Sequence, residues 1–378
     1  MESNVQKKLF TPVKLGAISL KHRIVMPPMS RLRAHWPTAV PSDLMKEYYS
    51  QRASDGGLVI AEATAVAGEA RAYHTAPGMY SDEQVSSWKQ ITDAVHAKGG
   101  VMFVQFSHAG RATHHSIGGQ QPVSASVDPT FWTNDKIVVS SPAGFVLPAP
   151  HRALETSEIA GVVAQFRNSA KLAKGAGFDG VEILAGNGHL VEQFLHDGTN
   201  HRTDQYGGSM ENRERFLFEI LEGVADVFGW DRVGVRVSPS STFAQMGDSN
   251  PRALYRHLAA RLNQTGLAYL HVIEPRISGA DTVAEGQDAV ASQDLVKVFH
   301  GPVIAAGGFE PKTAEEAVAN GVASLVSFGR HFTSNPDLPR RIELDLPLTP
   351  YDRSTFYAFD AKGYTDFAEY EEKEVAAA

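Results

Sequence analysis

No cysteine occurs anywhere in the 378 residues, and that absence excludes disulfides, thiolate zinc sites, cysteine-ligated iron–sulfur clusters and a cysteine nucleophile. Redox chemistry in such a chain needs a bound organic cofactor, or a metal held by nitrogen and oxygen ligands. Long apolar runs are missing too. Nowhere do about 18 apolar residues follow one another, and the opening MESNVQKKLF has no signal-like apolar core, so the expectation is a soluble, cytoplasmic protein that makes no use of a membrane. Nor is there an excess of positive charge. Against 35 Lys and Arg stand 43 Asp and Glu, a formal net charge of -8, which argues against gripping the phosphate backbone of a nucleic acid. The ending EYEEKEVAAA is acidic and then featureless, and residues 371–378 read as a frayed tail.

What the chain does have is alternation. Short β-branched runs at 22–29, 57–66, 100–108, 178–186, 232–239, 267–275, 302–309 and 323–330 are each followed by a longer amphipathic stretch, opened mostly by Ser, Asn or Pro and closed mostly by Gly. Near-continuous apolar strands belong to a parallel sheet buried on both faces, and eight successive strand–helix units close a barrel. An open doubly wound sheet is the alternative, but it would carry a Gly-rich turn after its first strand, where PPMSRLR stands. The expected architecture is an α/β fold, a (β/α)8 TIM barrel forming one domain over 1–378, with an ordered core at about 8–370. A hairpin around LFTPVKLGAISL caps its base, and long excursions at 111–153, 187–210 and 240–249 supply lids and walls.

In such a barrel the strand ends feed the active site, so polar residues there are the ones to examine. They are Ser30, Glu62, Thr64, Gln105, His108, Asn187, His189, Arg236 and Arg330. Arg236 lies between Val235 and Val237, so its side chain points away from two hydrophobes and into the barrel mouth or interior, where it needs an anion or an electron-rich partner. An internal ion pair with Glu62 or Glu182 would satisfy it as well as a ligand would. AAGGF (305–309) and SFGR (327–330) place Gly307, Gly308 and Gly329 where the last two loops begin, the customary phosphate place in these barrels, with Arg330 to supply charge. Gln105 offers a donor and an acceptor, which suits the imide-like edge of a heterocycle. A phosphate cradle, an inward Arg and an amide together describe a flat phosphorylated cofactor.

At this point the chain resembles the old yellow enzyme family of FMN-dependent ene-reductases, over roughly residues 8–370. The resemblance rests on LFTPVKLGAISLKHRIVMPPMSR, AEAT (61–64), QFSHAGR (105–111), GGQQPV (118–123), DGVEI (179–183), EQFLHDGTNHRTDQYGGSMENRERF (192–216), RVSP (236–239), FGR (328–330), NPDL (335–338), RSTFY and GYTD, in that order. It implies noncovalent FMN, with NADPH or NADH as reductant and a small activated alkene as substrate, in a monomer or homodimer. It further implies that Pro28, Met29 and Ser30 line the flavin, that Ala63 and Gln105 contact its ring system, that Arg236 sits near the N1 end, and that Gly308, Gly329 and Arg330 hold the phosphate. Lack of cysteine separates the chain from the longer iron–sulfur flavoenzymes on this barrel, and from the branch with a Cys beside the flavin.

The pattern breaks in one segment. After DGVEI the family has His, two small residues, His or Asn, Gly, and Tyr; here stand Leu184, Ala185, Gly186, Asn187, Gly188 and His189. Leu184 has replaced a donor to the substrate carbonyl, and His189 the usual proton-donating Tyr. One reading lets Asn187 polarise the acceptor and His189, titrating near neutral pH, supply the proton. Another gives the proton to His108, His114 or Tyr357, and a third changes the reaction to an isomerisation, a desaturation or the reduction of an unusual acceptor. Ser107 stands where the family prefers Trp and is expected to open the substrate pocket; Phe243, Phe309 and Phe332 are candidate replacement walls, with Tyr357 also facing the substrate. The adjacent His114 and His115 lack a third ligand at suitable spacing, so no metal is expected. The reaction expected is NAD(P)H-dependent reduction of the C=C bond of enones, enals or nitroalkenes. The rivals are a metal-assisted barrel hydrolase, for which strand one offers only MPPMSR, and a flavin-binding protein with weakened catalysis.

Overall fold

The computed structural model describes residues 6–279, 281–286 and 289–371, so the expected tail, residue 371 apart, lies outside the described residues. Eight parallel strands close a barrel in chain order: β1 (Ile24–Met26), β2 (Leu58–Ala65), β3 (Val101–Ser107), β4 (Gly180–Ala185), β5 (Val233–Val237), β6 (Tyr269–Ile273), β7 (Val303–Ala306) and β8 (Leu325–Ser327). Every expected apolar run contains one of them, two to five residues shorter than the run, because the flanking residues turn into the loops. Helices α1 (Asp43–Arg52), α2 (Asp82–His96), α3 (Thr156–Gly175), α4 (Met210–Phe228), α5 (Pro251–Leu262), α6 (Ser292–Leu295) and α7 (Pro311–Ala319) follow the first seven strands, and Gly329–Ser334 and Leu338–Glu343 follow the eighth. None of the described helices is long and apolar enough to cross a membrane.

Alternation along each strand sends successive side chains outward against the helices and inward along the axis. On the outside, α4 buries Phe216, Leu217, Ile220 and Val224, and α2 buries Trp88, Ile91 and Val95. Ser81 caps α2 by accepting the Gln84 N–H at 3.3 Å, and Ser209 caps α4 by accepting from Asn212, as the sequence signals indicate.

Inside, the barrel has two levels. Val25, Leu58, Ile60, Phe103, Tyr269, Ile304 and Leu325, drawn from the strand starts, pack into an apolar plug, and the antiparallel hairpin Val13–Leu15/Ile18–Leu20 closes it from below through Leu15, Ile18 and Leu20. The expected base cap is therefore there, and it has a physical role in keeping water off the barrel floor. Above the plug the inward positions turn polar, with Gln105, Glu182, Arg236, His271 and Ser327. Parallel register places Gln105 opposite Glu182, Leu184 opposite Arg236 and Arg236 opposite His271. The plug leaves no room at Gly234, where an added Cβ would lie 2.2 Å from the Tyr269 ring. Gly234→Ala should therefore destabilise the protein by about 1–3 kcal/mol through overpacking; an unchanged urea midpoint would show that the floor is loosely packed.

Candidate functional site

The C-terminal ends of the strands open into a cavity of about 680 Å³. Pro28, Met29 and Ser30 reach it from the end of β1, Ala63 from β2, Gln105 from β3, Leu184, Asn187 and His189 from β4 and its loop, and Arg236 from β5; Gly307, Gly308, Gly329 and Arg330 border it from the last two strand ends. Phe243, Phe309 and Tyr357 form wall, while Phe332 is buried in the core and does not border the cavity. The three expected excursions all contribute. One further segment was not anticipated, the stretch after β6 through Ile277 and Asp281; the C-terminal segment, expected to contribute through Tyr357, also brings Tyr351 and Phe356 to the cavity.

Ser107 stands apart. It is buried at the end of β3, away from the cavity, so the widening expected from it does not fall in the open space. His108 is likewise buried off the cavity, its Nδ1 accepting the Gly110 N–H at 3.1 Å, and His114 lies in the outer loop with its Nδ1 2.7 Å from Ser116 Oγ. Of the alternative proton donors only Tyr357 reaches the cavity, where it stacks on Tyr73 with ring centroids 6.4 Å apart.

Arg236 resolves one open alternative. Its Nη1 donates to the Pro28 carbonyl at 3.3 Å, while its Nε is buried with no hydrogen-bond partner among the described residues. The carboxylates that could have paired with it are engaged elsewhere. Glu62 accepts the Arg31 N–H at 3.1 Å and the Tyr49 hydroxyl at 3.2 Å; Glu182 accepts from Gln105 Nε2 at 2.7 Å and from His271 Nδ1 at 2.8 Å. Burial works against the charge on Glu182, but His271, Arg236 and Gln105 together hold its pKa below the usual value; burial lowers that of His271 despite the carboxylate, so the pair reads as an anion beside a neutral imidazole. The sequence reading passed over His271, although a histidine alternating inward within an apolar strand was a visible signal.

At the other end of the cavity the backbone is bare. Gly307 and Gly308 adopt φ of +122° and +65°, and a Cβ on Gly307 would sit 2.6 Å from Ile277. Two guanidinium groups flank this stretch: Arg276, whose Nε donates to Gly307 O at 2.8 Å, and Arg330, which donates to Thr282 Oγ1 at 3.0 Å. An incompletely satisfied cation, a buried amide and side-chain-free backbone beside two arginines, brought to one cavity, match a flat ring system carrying a phosphate arm.

The segment Leu184 to His189 borders this cavity through Leu184, Asn187 and His189. Asn187 takes φ +53°, and its N–H donates to Ser238 Oγ at 2.8 Å; Ser238 Oγ donates in turn to Glu192 Oε1 at 2.6 Å, and Gly188 N–H to Glu192 Oε2 at 2.6 Å. That anchorage fixes the loop and leaves the Asn187 amide facing the cavity. Leu184 is packed at the cavity wall and donates nothing. His189 requires a correction. Burial, with His108 adding to it, pushes its pKa down to about 4, so it is neutral near pH 7 and does not titrate there. Its Nδ1 is buried without a hydrogen-bond partner among the described residues.

The family model for the NADH:flavin oxidoreductase / NADH oxidase family matches residues 8–349. The chain is 44% identical to 12-oxophytodienoate reductase 1 of Oryza sativa subsp. japonica, covering 96% of this chain and 93% of that one. Among solved structures, morphinone reductase in complex with tetrahydroNAD superposes with a TM-score of 0.87 at 42% identity, covering 96% of this chain and 98% of the other. The old yellow enzyme homologue from Zymomonas mobilis gives a TM-score of 0.88 at 38% identity, covering 96% and 99%.

Buried neutral histidines have a consequence for stability. His108 and His189 are held near 4, whereas an unfolded histidine titrates near 6.5, so below that value the unfolded state binds protons the folded state refuses. The stability is whole above pH 6.5 and is lost as the pH falls toward 4. His189→Gln should flatten the fall in unfolding free energy between pH 6.5 and 4.5 by up to about 1.4 kcal/mol per pH unit; an unaltered slope would place the His189 pKa near its ordinary value.

Proposed function

The chain belongs to the NADH:flavin oxidoreductase / NADH oxidase family, the old yellow enzyme group of FMN-dependent oxidoreductases, and from that membership we propose that it reduces the C=C bond of activated alkenes such as enones, enals and nitroalkenes. The observation that carries this reading is the cavity floor: an arginine with a buried unpartnered Nε and a glutamine amide face the space where a flavin ring would lie. When bound, FMN supplies hydride transfer, taking a hydride from NADPH or NADH and giving it to the β-carbon of the alkene.

The residues of the chain do the rest. Gly307, Gly308 and Gly329 let backbone approach the phosphate, with Arg330 and Arg276 adding charge. Pro28, Met29, Ser30 and Ala63 form the bed for the ring. Arg236 meets the end where negative charge accumulates on reduction, and Gln105 meets the imide edge. Asn187 donates to the acceptor group of the substrate, with Leu184, Phe243 and Tyr357 as apolar surround. His189, being neutral, serves as a second hydrogen-bond donor through its ring N–H, since an imidazole need not carry charge to polarise a carbonyl. The α-carbon then takes its proton from water at the cavity mouth, where Tyr357 is 41% exposed. Leu184 and the neutral His189 also support a second reading, in which the same site carries out an isomerisation or another redox step that needs no strong carbonyl clamp.

Anaerobic NADPH or NADH should bleach the yellow FMN-loaded protein, and an enone or nitroalkene should restore the colour. A preparation that takes up no FMN sinks the assignment, while bleaching with no reoxidation by any alkene favours the second reading. His189→Phe should slow reoxidation by the alkene about tenfold and leave bleaching by the nucleotide unchanged; equal losses in both half-reactions would remove His189 from the substrate side. Leu184→His, which adds a donor beside Asn187, should tighten binding of phenols that mimic an enolate by about tenfold, followed through their long-wavelength absorbance with the flavin. An unchanged dissociation constant would mean that residue 184 does not face the acceptor.

A further inference from the structure

Beneath the cofactor space lies a chain of polar side chains from four separate strands. Gln105 on β3, Glu182 on β4, His271 on β6 and Ser327 on β8 are 2%, 0%, 0% and 2% exposed. Gln105 Nε2 donates to Glu182 Oε1 at 2.7 Å, His271 Nδ1 donates to Glu182 Oε2 at 2.8 Å, and His271 Nε2 lies 3.2 Å from Ser327 Oγ. Directly below, the apolar plug shows what this sequence does where only packing is required. A carboxylate placed one level higher is costly unless every lone pair it turns inward is answered. Packing gives no reason for it.

Its geometry gives one. A glutamine amide is nearly symmetric in shape, and either end can be presented to a ligand unless a neighbour decides. A carboxylate only accepts hydrogen bonds, so Glu182 takes the NH2 end of Gln105 and repels the carbonyl end. Oε1 of Gln105 consequently has no hydrogen-bond partner among the described residues and is left for the cavity, which Gln105 lines. We infer that Glu182 is a positioning residue for the cofactor: it sets the sense of the Gln105 amide so that a carbonyl acceptor meets the ring imide N–H, with His271 and Ser327 holding the carboxylate in register. The inference rests on the FMN reading above and adds to it the reason Gln105 recognises an imide rather than a carbonyl edge. The second Nε2 hydrogen remains for the carbonyl beside that N–H.

The test is a double-mutant cycle on protein freed of FMN, titrated with FMN by fluorescence quenching. Glu182→Gln, which permits either sense of the amide, should weaken FMN binding about tenfold in the wild-type background and less than about twofold when Gln105 is already Leu. An equal loss in both backgrounds, or none in the first, overturns the inference; an equal loss would mean that Glu182 acts through Arg236. A measurement on the unaltered protein guards against a variant that does not fold. With FMN labelled with 15N at N3, the bound N3–H should give a downfield, slowly exchanging proton resonance, and a solvent-like, rapidly exchanging one would show that no acceptor faces it. Failure of the FMN reading looks different, since the unaltered protein would then bind no FMN at all.

Discussion

Everything about this site depends on an arginine placed inside a closed barrel with no carboxylate hydrogen-bonded to it among the described residues. Arg236 is carried inward by strand alternation, and closure of the sheet leaves it no route to solvent except the cavity. Burial lowers its pKa and Glu182 raises it, yet Glu182 spends its hydrogen bonds on Gln105 and His271. Its only protein hydrogen bond among the described residues is to the Pro28 carbonyl. A guanidinium in that state is poised for a ligand that becomes more negative during its chemistry, which is what a flavin does on reduction.

The remaining parts serve to keep that environment defined. The hairpin-closed plug excludes water from below. The bare backbone at Gly307 and Gly308 borders the cavity, and the loop tied down through Ser238 and Glu192 brings Asn187 to its wall. The buried Gln105–Glu182–His271 chain lines the floor through hydrogen bonds of 2.7 and 2.8 Å. On the reading proposed above, substrate chemistry falls to the residues over this floor, where Leu184 gives no side-chain hydrogen bond and His189 is a neutral imidazole.

Much of this was legible in the residues. Period-two alternation in β-branched runs marked all eight strands, and a barrel that closes from eight strand–helix units must bring their ends together, which is why Pro28, Gln105, Arg236, Gly308 and Arg330 were found around one cavity. What sequence does not carry is the environment of a side chain at the end of a strand. Ser107 has the parity of Gln105, yet it is buried and does not border the cavity. The near-neutral titration expected of His189 failed because burial depends on neighbours such as His108 that are distant in no simple pattern. The partners of Glu182 and Glu62 depend on register and on α1, which composition does not reveal, so the question of what Arg236 faces stayed open until the strands were aligned.

The central claim is that Arg236 acts on the cofactor as a positive charge that no carboxylate engages by a hydrogen bond among the described residues. It is tested most directly by comparing the affinities of oxidised and reduced FMN for the wild-type protein and for Arg236→Gln, measured anaerobically. The account predicts that the wild type favours reduced over oxidised FMN more strongly than the variant does, because the charge acts mainly on the anionic reduced form. The same ratio of affinities in both proteins would contradict it.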